Sequence, residues 1–313
     1  MRVSFGDFQE TRIVPKILIG VGAATQDDLW LVENFVSEEF ARQALDQTLM
    51  GGGPVATALC VLGQLGHPTL LIDVCGGDPI GDWVLADLKT WGVSTQGVRR
   101  IAGARTARAV VMVRASDGAR QITFLPSSAG EPLFDEEHAV QVKGARLLHI
   151  NGRHENAARE AVKWAQASDV EISFDGGAGR YRESIRDLVE ASHIRIFARE
   201  FASSYCGITE VPEMMKRLLK SPARVAVITD GVAGSYSAVP GGIIHHQPAH
   251  SVPHVVDSTG CGDVFHGAFI HGWISGWEVH QCASFASMLA AKNAEGLGGR
   301  YVLNRLVAES MAT

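Results

Sequence analysis

Short apolar runs alternate with longer amphipathic ones along most of this chain. Lys16 to Gly22 is apolar and ends in glycines, the pattern of a strand buried on both faces. Leu29 to Phe35 and Arg42 to Met50 alternate more weakly and predict strands outside the core. Pro54 to Gly66 predicts a helix, with proline in its first turn and glycine at its end. Thr69 to Cys75 reads as a strand, and Ile80 to Trp91 as a helix stopped by Gly92. Val110 to Arg114 and Arg120 to Leu125 flank Ala115-Ser116-Asp117-Gly118, a hairpin signal.

From residue 146 the order becomes regular. Strands are predicted at Arg146 to Ile150, Glu171 to Phe174, His193 to Phe197 and Val225 to Thr229. Helices are predicted at Glu155 to Ala167, Tyr181 to Glu190, Pro212 to Leu219, Gly262 to Ser275 and Glu278 to Ala294. Such alternation implies an α/β fold, a mostly parallel sheet with helices on both faces. No linker or internal repeat divides the 313 residues, so a single domain with inserted strands at about 28–50 and 105–126 is expected.

Composition narrows the class. A net charge of −6 without a basic run argues against a nucleic-acid surface. No apolar stretch approaches a membrane span, and Met1 to Lys16 does not read as a signal peptide. A cytoplasmic protein is expected. The five cysteines are scattered with no C-x-x-C pair, as buried thiols in a reducing compartment would be. Cys261 stands apart, because a helix N-terminus stabilises a thiolate; the competing reading is a small residue filling a slot.

The densest chemistry lies in Asp257-Ser258-Thr259-Gly260-Cys261-Gly262-Asp263 and the small-residue helix that follows. Glycines allow close backbone approach, and the first N–H groups of a helix have no partner within it. Together they form an anion site. A carboxylate placed beside an attracted anion suits phosphoryl transfer, where it positions the attacking hydroxyl. The plainer reading is a glycine-rich turn capped by Ser258 or Thr259.

At these residues the chain resembles the ribokinase-like (PfkB) carbohydrate kinases, whose C-terminal signature is matched without a gap. The resemblance implies Gly260, Cys261 and Gly262 as the anion hole and Asp263 as the catalytic base. Gly51-Gly52-Gly53-Pro54-Val55-Ala56-Thr57-Ala58 resembles the N-terminal signature, with Gly51, Gly52 and Gly53 against the sugar. Ala56 stands where many members have asparagine, which argues against ribose. Asp27, or its neighbour Asp28, follows the first strand; Asp27 matches by spacing the aspartate that accepts sugar hydroxyls. Thr229, Gly231 and Gly234 resemble the T-x-G-x-x-G segment that lines ATP, and Asn293 is placed near adenine. The implied cofactors are ATP and Mg²⁺, with K⁺ at a monovalent cation site built from Asp257 and Thr259. The N-x-x-E motif is out of register: Ala198-Arg199-Glu200-Phe201 occupies its place, so either Glu200 substitutes or the magnesium is held mainly by phosphates and water. The early strands correspond to a β-lid that also serves as a homodimer contact.

Leu148-His149-Ile150-Asn151-Gly152-Arg153 is similar to a run in ketohexokinases, and the triple-glycine pattern resembles sulfofructose kinases. Arg153 either clamps an anionic substituent or pairs with Glu155. His266 reads as packing, and the histidines show no metal-ligand spacing. The implied activity is ATP-dependent phosphorylation of a primary hydroxyl of a sugar, ketose favoured. The alternatives are a nucleoside kinase of the same fold and a non-catalytic sugar sensor. A nicotinamide enzyme is disfavoured, since Gly20 to Thr25 lacks the third glycine of its fingerprint.

Overall fold

The computed structural model describes residues 16–35 and 41–311, with side chains through residue 306. The N-terminal stretch up to residue 15, and with it nearly all of the segment read as carrying no signal peptide, lies outside the described residues.

Alternating residues of the central strands enter two different cores. In β1 (Leu18–Val21), Leu18 packs on one side while Ile19 and Val21 pack on the other. The same split recurs in β12 (Val225–Thr229): Val225 and Val227 join the first core, Ala226 and Ile228 the second. A strand apolar at every position is therefore the signature of a sheet covered twice.

Between them in sequence lie β2 (Thr25–Val32), β3 (Asp46–Gly52), β4 (Thr69–Gly76), β5 (Val93–Ser94), β6 (Val98–Ile101), β7 (Arg108–Arg114), β8 (Arg120–Leu125), β9 (Leu147–Ile150), β10 (Glu171–Gly176) and β11 (Ile194–Ala198). Two short strands, β13 (Ser235–Ala238) and β14 (His245–Gln247), follow β12. The main sheet runs β14-β13-β12-β11-β10-β9-β1-β4-β5, with β6 also on β4. Pairing is parallel except at the β12-β13-β14 edge.

One face is covered by α1 (Pro54–Gln64) and α2 (Pro79–Thr90), with α8 (Cys261–Ile274), α9 (Val279–Asn293) and α10 (Tyr301–Met311). The other carries α3 (Glu136–Gly144), α4 (Glu155–Gln166), α5 (Arg186–Glu190), α6 (Arg199–Cys206) and α7 (Val211–Leu218). Helices α1 and α8 touch closely: a Cβ at Gly267 would sit 2.7 Å from the Ala58 carbonyl.

A second sheet, β3-β2-β7-β8, is joined by antiparallel β2–β3 and β7–β8 pairs and a parallel β2–β7 pair. Its buried part is small, Leu29, Val111 and Val113 with Met50 and Leu297 packed on them. Every residue of β8 is exposed. These strands overlap the two expected insertions, with β2 beginning before residue 28 and β3 running past residue 50. Elements β5, β6, α3, α6, β13 and α10 lie outside the expected elements; the short strands carry little period, and α6 begins in the segment 198–201. The helix expected from Tyr181 is a 3-10 turn (Glu183–Ile185) leading into the short α5. No helix among the described residues is long and apolar enough to cross a membrane.

Candidate active site

Parallel strands place their C-terminal ends along one edge, so the loops after β12, β11, β10, β9 and β1 stand in that spatial order. The anion loop meets this edge at the start of α8. Gly260 adopts φ +69°, a left-handed turn that L side chains disfavour, and any Cβ there would overlap the backbone of Gly299. Gly262 is exposed, and a Cβ there would meet only open space. The first glycine thus shapes the loop, while the second leaves room over the helix N-terminus. Asp257 is fully buried, and its carboxylate accepts from Thr259 N at 2.8 Å and Gly298 N at 2.9 Å. It braces the loop. The Thr259 hydroxyl is buried without a hydrogen-bond partner, an acceptor suited to a small cation or water.

Asp263 lies in the first turn of α8 and is partly open to the cleft. A helix N-terminus alone would depress its pKa. Burial instead pushes it up to about 6; Arg180, His266 and Arg120 oppose the rise, and the Asp175 carboxylate adds to it. Asp263 is therefore more basic than the helix position implies.

Asp175 ends β10, fully buried, with His266 Nδ1 3.3 Å from one carboxylate oxygen and Arg180 Nη1 3.6 Å from the other. His149 on β9 completes the group, its Nδ1 3.2 Å from Ser173 Oγ. Ligand-type atoms of His149, Asp175 and His266 all lie within 4.8 Å of one another. Sequence spacing could not reveal this, because the three come from different elements. His266 is thus no apolar packing residue; it belongs to a buried polar cluster. The Arg180 guanidinium and the His266 imidazole both face Asp175.

Cys261 opens α8, but burial pushes its thiol up to about 12, so it fills space and is not a thiolate. Asn293 is fully buried; its Nδ2 donates to Thr259 O at 3.1 Å and its Oδ1 accepts from Val302 N at 3.1 Å. The expectation that Asn293 reaches adenine is corrected: its amide is committed to holding the anion loop against residues 298–302.

Asp27 and Asp28 lie within lid strand β2, not in a loop after β1. Asp27 accepts from Thr25 Oγ1 at 2.7 Å, and Gly52 gives its carboxylate room against the backbone. Burial raises the Asp27 pKa, against the pull of Thr25 and Arg300. Asp28 instead accepts from Gln47 Nε2 at 2.5 Å in an exposed position. Gly53 turns at φ +93° into α1, and Ala56 is fully buried. Behind Gly51 and Gly52, buried Arg300 donates to Gly52 O at 3.0 Å, Thr57 Oγ1 at 3.1 Å and Asp87 Oδ2 at 2.5 Å. That clamp joins the lid's root to α1 and α2, and no motif announced it.

Arg153 follows β9. Glu155 is engaged by Arg182 at 2.8 Å and Arg159 at 3.3 Å, leaving Arg153 without an ion pair among the described residues. Arg153, Arg180 and Arg182 face one cavity of about 330 Å³ with Pro54, Asn151 and Tyr181. Desolvation and the cations Arg180 and Arg182 lower the Arg153 pKa, the mark of positive charges crowded together. From the lid, Arg120 Nη1 donates to Ser258 Oγ at 2.6 Å, bringing a cation beside the anion loop.

On the far side, Thr229 ends β12 half-buried, followed by Gly231 in a 3-10 turn and Gly234 at φ +90°. Asp230 accepts from Arg199 Nη1 at 2.5 Å. Glu200 is exposed in the first turn of α6, its Oε1 3.8 Å from where a Gly179 Cβ would stand. One exposed carboxylate at the cleft edge fits Mg²⁺ carried mainly by phosphate and water.

An anion loop at a helix start, a carboxylate beside it and strand-end loops on either side define a phosphotransferase with a hydroxyl acceptor. The chain belongs to the pfkB family of carbohydrate kinases, whose model matches residues 19–304. It is 23% identical to mouse ketohexokinase over 297 residues, covering 91% of this chain and 97% of that protein. It is 28% identical to a probable fructokinase-5 of Arabidopsis thaliana over 238 residues, covering 70% and 72%. Among solved structures, Arabidopsis thaliana ribokinase complexed with ribose and ATP superposes with a TM-score of 0.78 at 22% identity, covering 94% of this chain and 99% of that one.

Proposed function

We propose that this kinase transfers the γ-phosphate of ATP to a primary hydroxyl of a ketose-type sugar that carries an anionic substituent. The observation that carries this reading is the cavity of three arginines, one of them unpaired, beside the glycine turn at Pro54. A guanidinium without a carboxylate partner binds a planar or tetrahedral anion through paired N–H donors. Asp27 and the Gly51–Gly53 backbone hold the hydroxyls, and Arg153 holds the anion. Thr229, Gly231 and Gly234 line the nucleotide.

Asp263 accepts the proton from the sugar O–H as that oxygen bonds to phosphorus and the bond to the β-phosphate oxygen breaks, releasing ADP. The amides of Gly260, Cys261 and Gly262 receive the charge on the transferring group. Mg²⁺, when bound, neutralises phosphate charge; Glu200 is the carboxylate nearest to assist through water. Asp257 and the unpartnered Thr259 hydroxyl support a K⁺ site behind the loop. The whole chain works as one catalytic unit in which β2, β3, β7 and β8 close over the sugar. The lid's outer face, with exposed Trp30, Leu49 and Val110, fits a second copy of this chain.

The test is ATP consumption, with Mg²⁺ and K⁺, across neutral ketoses, phosphorylated, sulfonated or carboxylated ketoses, aldoses and nucleosides. An anionic ketose should respond most strongly, and Arg153→Ala should raise its KM about tenfold or more while sparing a neutral ketose. A nucleoside as the sole responder would replace this reading by the nucleoside kinase. ATP binding with no turnover on any acceptor would favour the sensor.

A further inference from the structure

His266 sits one helical turn beyond Asp263, so the two side chains share a face of α8. Below it, Asp175 rises from β10, and its two oxygens and His266 Nδ1 are buried without a well-formed hydrogen bond. The buried Asp175 carboxylate opposes ionisation of Asp263. The His266 imidazole lies 3.3 Å from Asp175 and one turn along α8 from Asp263. We propose that the His266–Asp175 pair is a positioning device for the catalytic base: the imidazolium, fixed by Asp175, compensates the Asp263 carboxylate and keeps it ionised once the closed site excludes water. This rests on the reading of Asp263 as the base.

The charges facing the pair are few. His149 on β9 contributes none near neutrality, since burial and then the neighbouring His266 push it down to about 4. Arg180, on the loop after β10, and Arg120, on lid strand β8, are the other cations that act on Asp263. Both have exposed side chains on mobile-length stems, whereas His266 is only 4% exposed. Burial opposes protonation of His266, but Asp175 and then Asp263 outweigh it and raise its pKa above the ordinary imidazole value, whereas that of His149 is lowered. The inner cation is the one that a bound anionic sugar cannot draw away.

The experiment is the pH profile of kcat/KM for wild type, His266→Asn and His266→Ala, with thermal melting to confirm folding. Loss of the compensating cation should move the acid limb upward by about one pH unit, a tenfold loss below it, with activity largely recovered on the alkaline plateau. Imidazole added to His266→Ala should move the limb back. A limb that stays in place in folded variants, or an equal loss at every pH, overturns the proposal. So does a stoichiometric transition metal in the purified wild type that His266→Asn removes, because the cluster would then be a metal site. Asp263→Asn run alongside separates the cases: full turnover there sinks the base itself, whereas an inactive Asp263→Asn with an unmoved His266 limb sinks only this inference.

Discussion

The two sheets solve different problems with opposite chemistry. The main sheet is apolar on both faces and carries Asp175 and the strand-end loops, with Asp263 on α8 packed over it. The lid sheet has a buried patch of three residues and an edge strand that is exposed throughout. Burial on the first sheet perturbs pKa values; exposure on the second leaves room for movement. A kinase needs both, because water must leave before transfer and the product must leave after it. Under the proposed function, the chemistry is fixed by the sheet with the larger core, and access by the one that barely has a core.

That contrast breaks most severely at the joint. Arg300 is fully buried and binds strand β3, α1 and α2 at once. Arg300→Ala leaves Asp87 and the Gly52 carbonyl without their cation, and should cost about 3–5 kcal/mol of stability. Chemical denaturation measures it. If the sheets are coupled through this residue, the KM for sugar should also rise in whatever protein remains folded.

Next comes the base. Asp263→Asn should lower turnover by about 10²-fold or more and leave ATP affinity unchanged, read by steady-state kinetics and calorimetry. Because wild-type Asp263 titrates near 6, kcat/KM should fall as pH drops through that value. The stability effect has the opposite sense. A carboxyl whose folded pKa is raised favours the folded state at low pH and burdens it once ionised, as pH rises through about 6. Asp263→Asn should therefore raise the melting temperature at pH 8 and give no gain at pH 4.

Much of the core was legible because its signals are local. Four apolar runs between residues 146 and 229 became β9 to β12 within a few residues. The anion loop was readable because it lies within seven consecutive residues. What escaped is what convergence builds. Arg180 and Arg182 enter the cavity beside Arg153 only because β10 lies beside β9, and Asp175 meets His266 only because α8 packs near that edge. Asn293 was misread for a related reason. A polar residue on a small-residue helix suggests a ligand, whereas here backbone groups of the loop saturate it. Residue type gave its chemistry and packing decided its use.

The smallest expected effect tests whether the lid takes part in the chemistry. Arg120 is the lid cation that touches the anion loop, through Ser258. It is exposed, so water weakens its field, and it contributes to a folded contact worth little by itself. Closure would change that, since a guanidinium sealed against the transferring phosphate acts in a lower dielectric. Arg120→Ala should therefore leave the melting temperature within a degree or so and lower kcat by about tenfold, short of a fully preorganised donor's contribution. Arg120→Lys should recover part of the loss, because the charge survives and only the fork is missing. Unchanged kcat in Arg120→Ala would confine the lid to excluding water; a loss that appears only in KM would make Arg120 a binding residue of the open state.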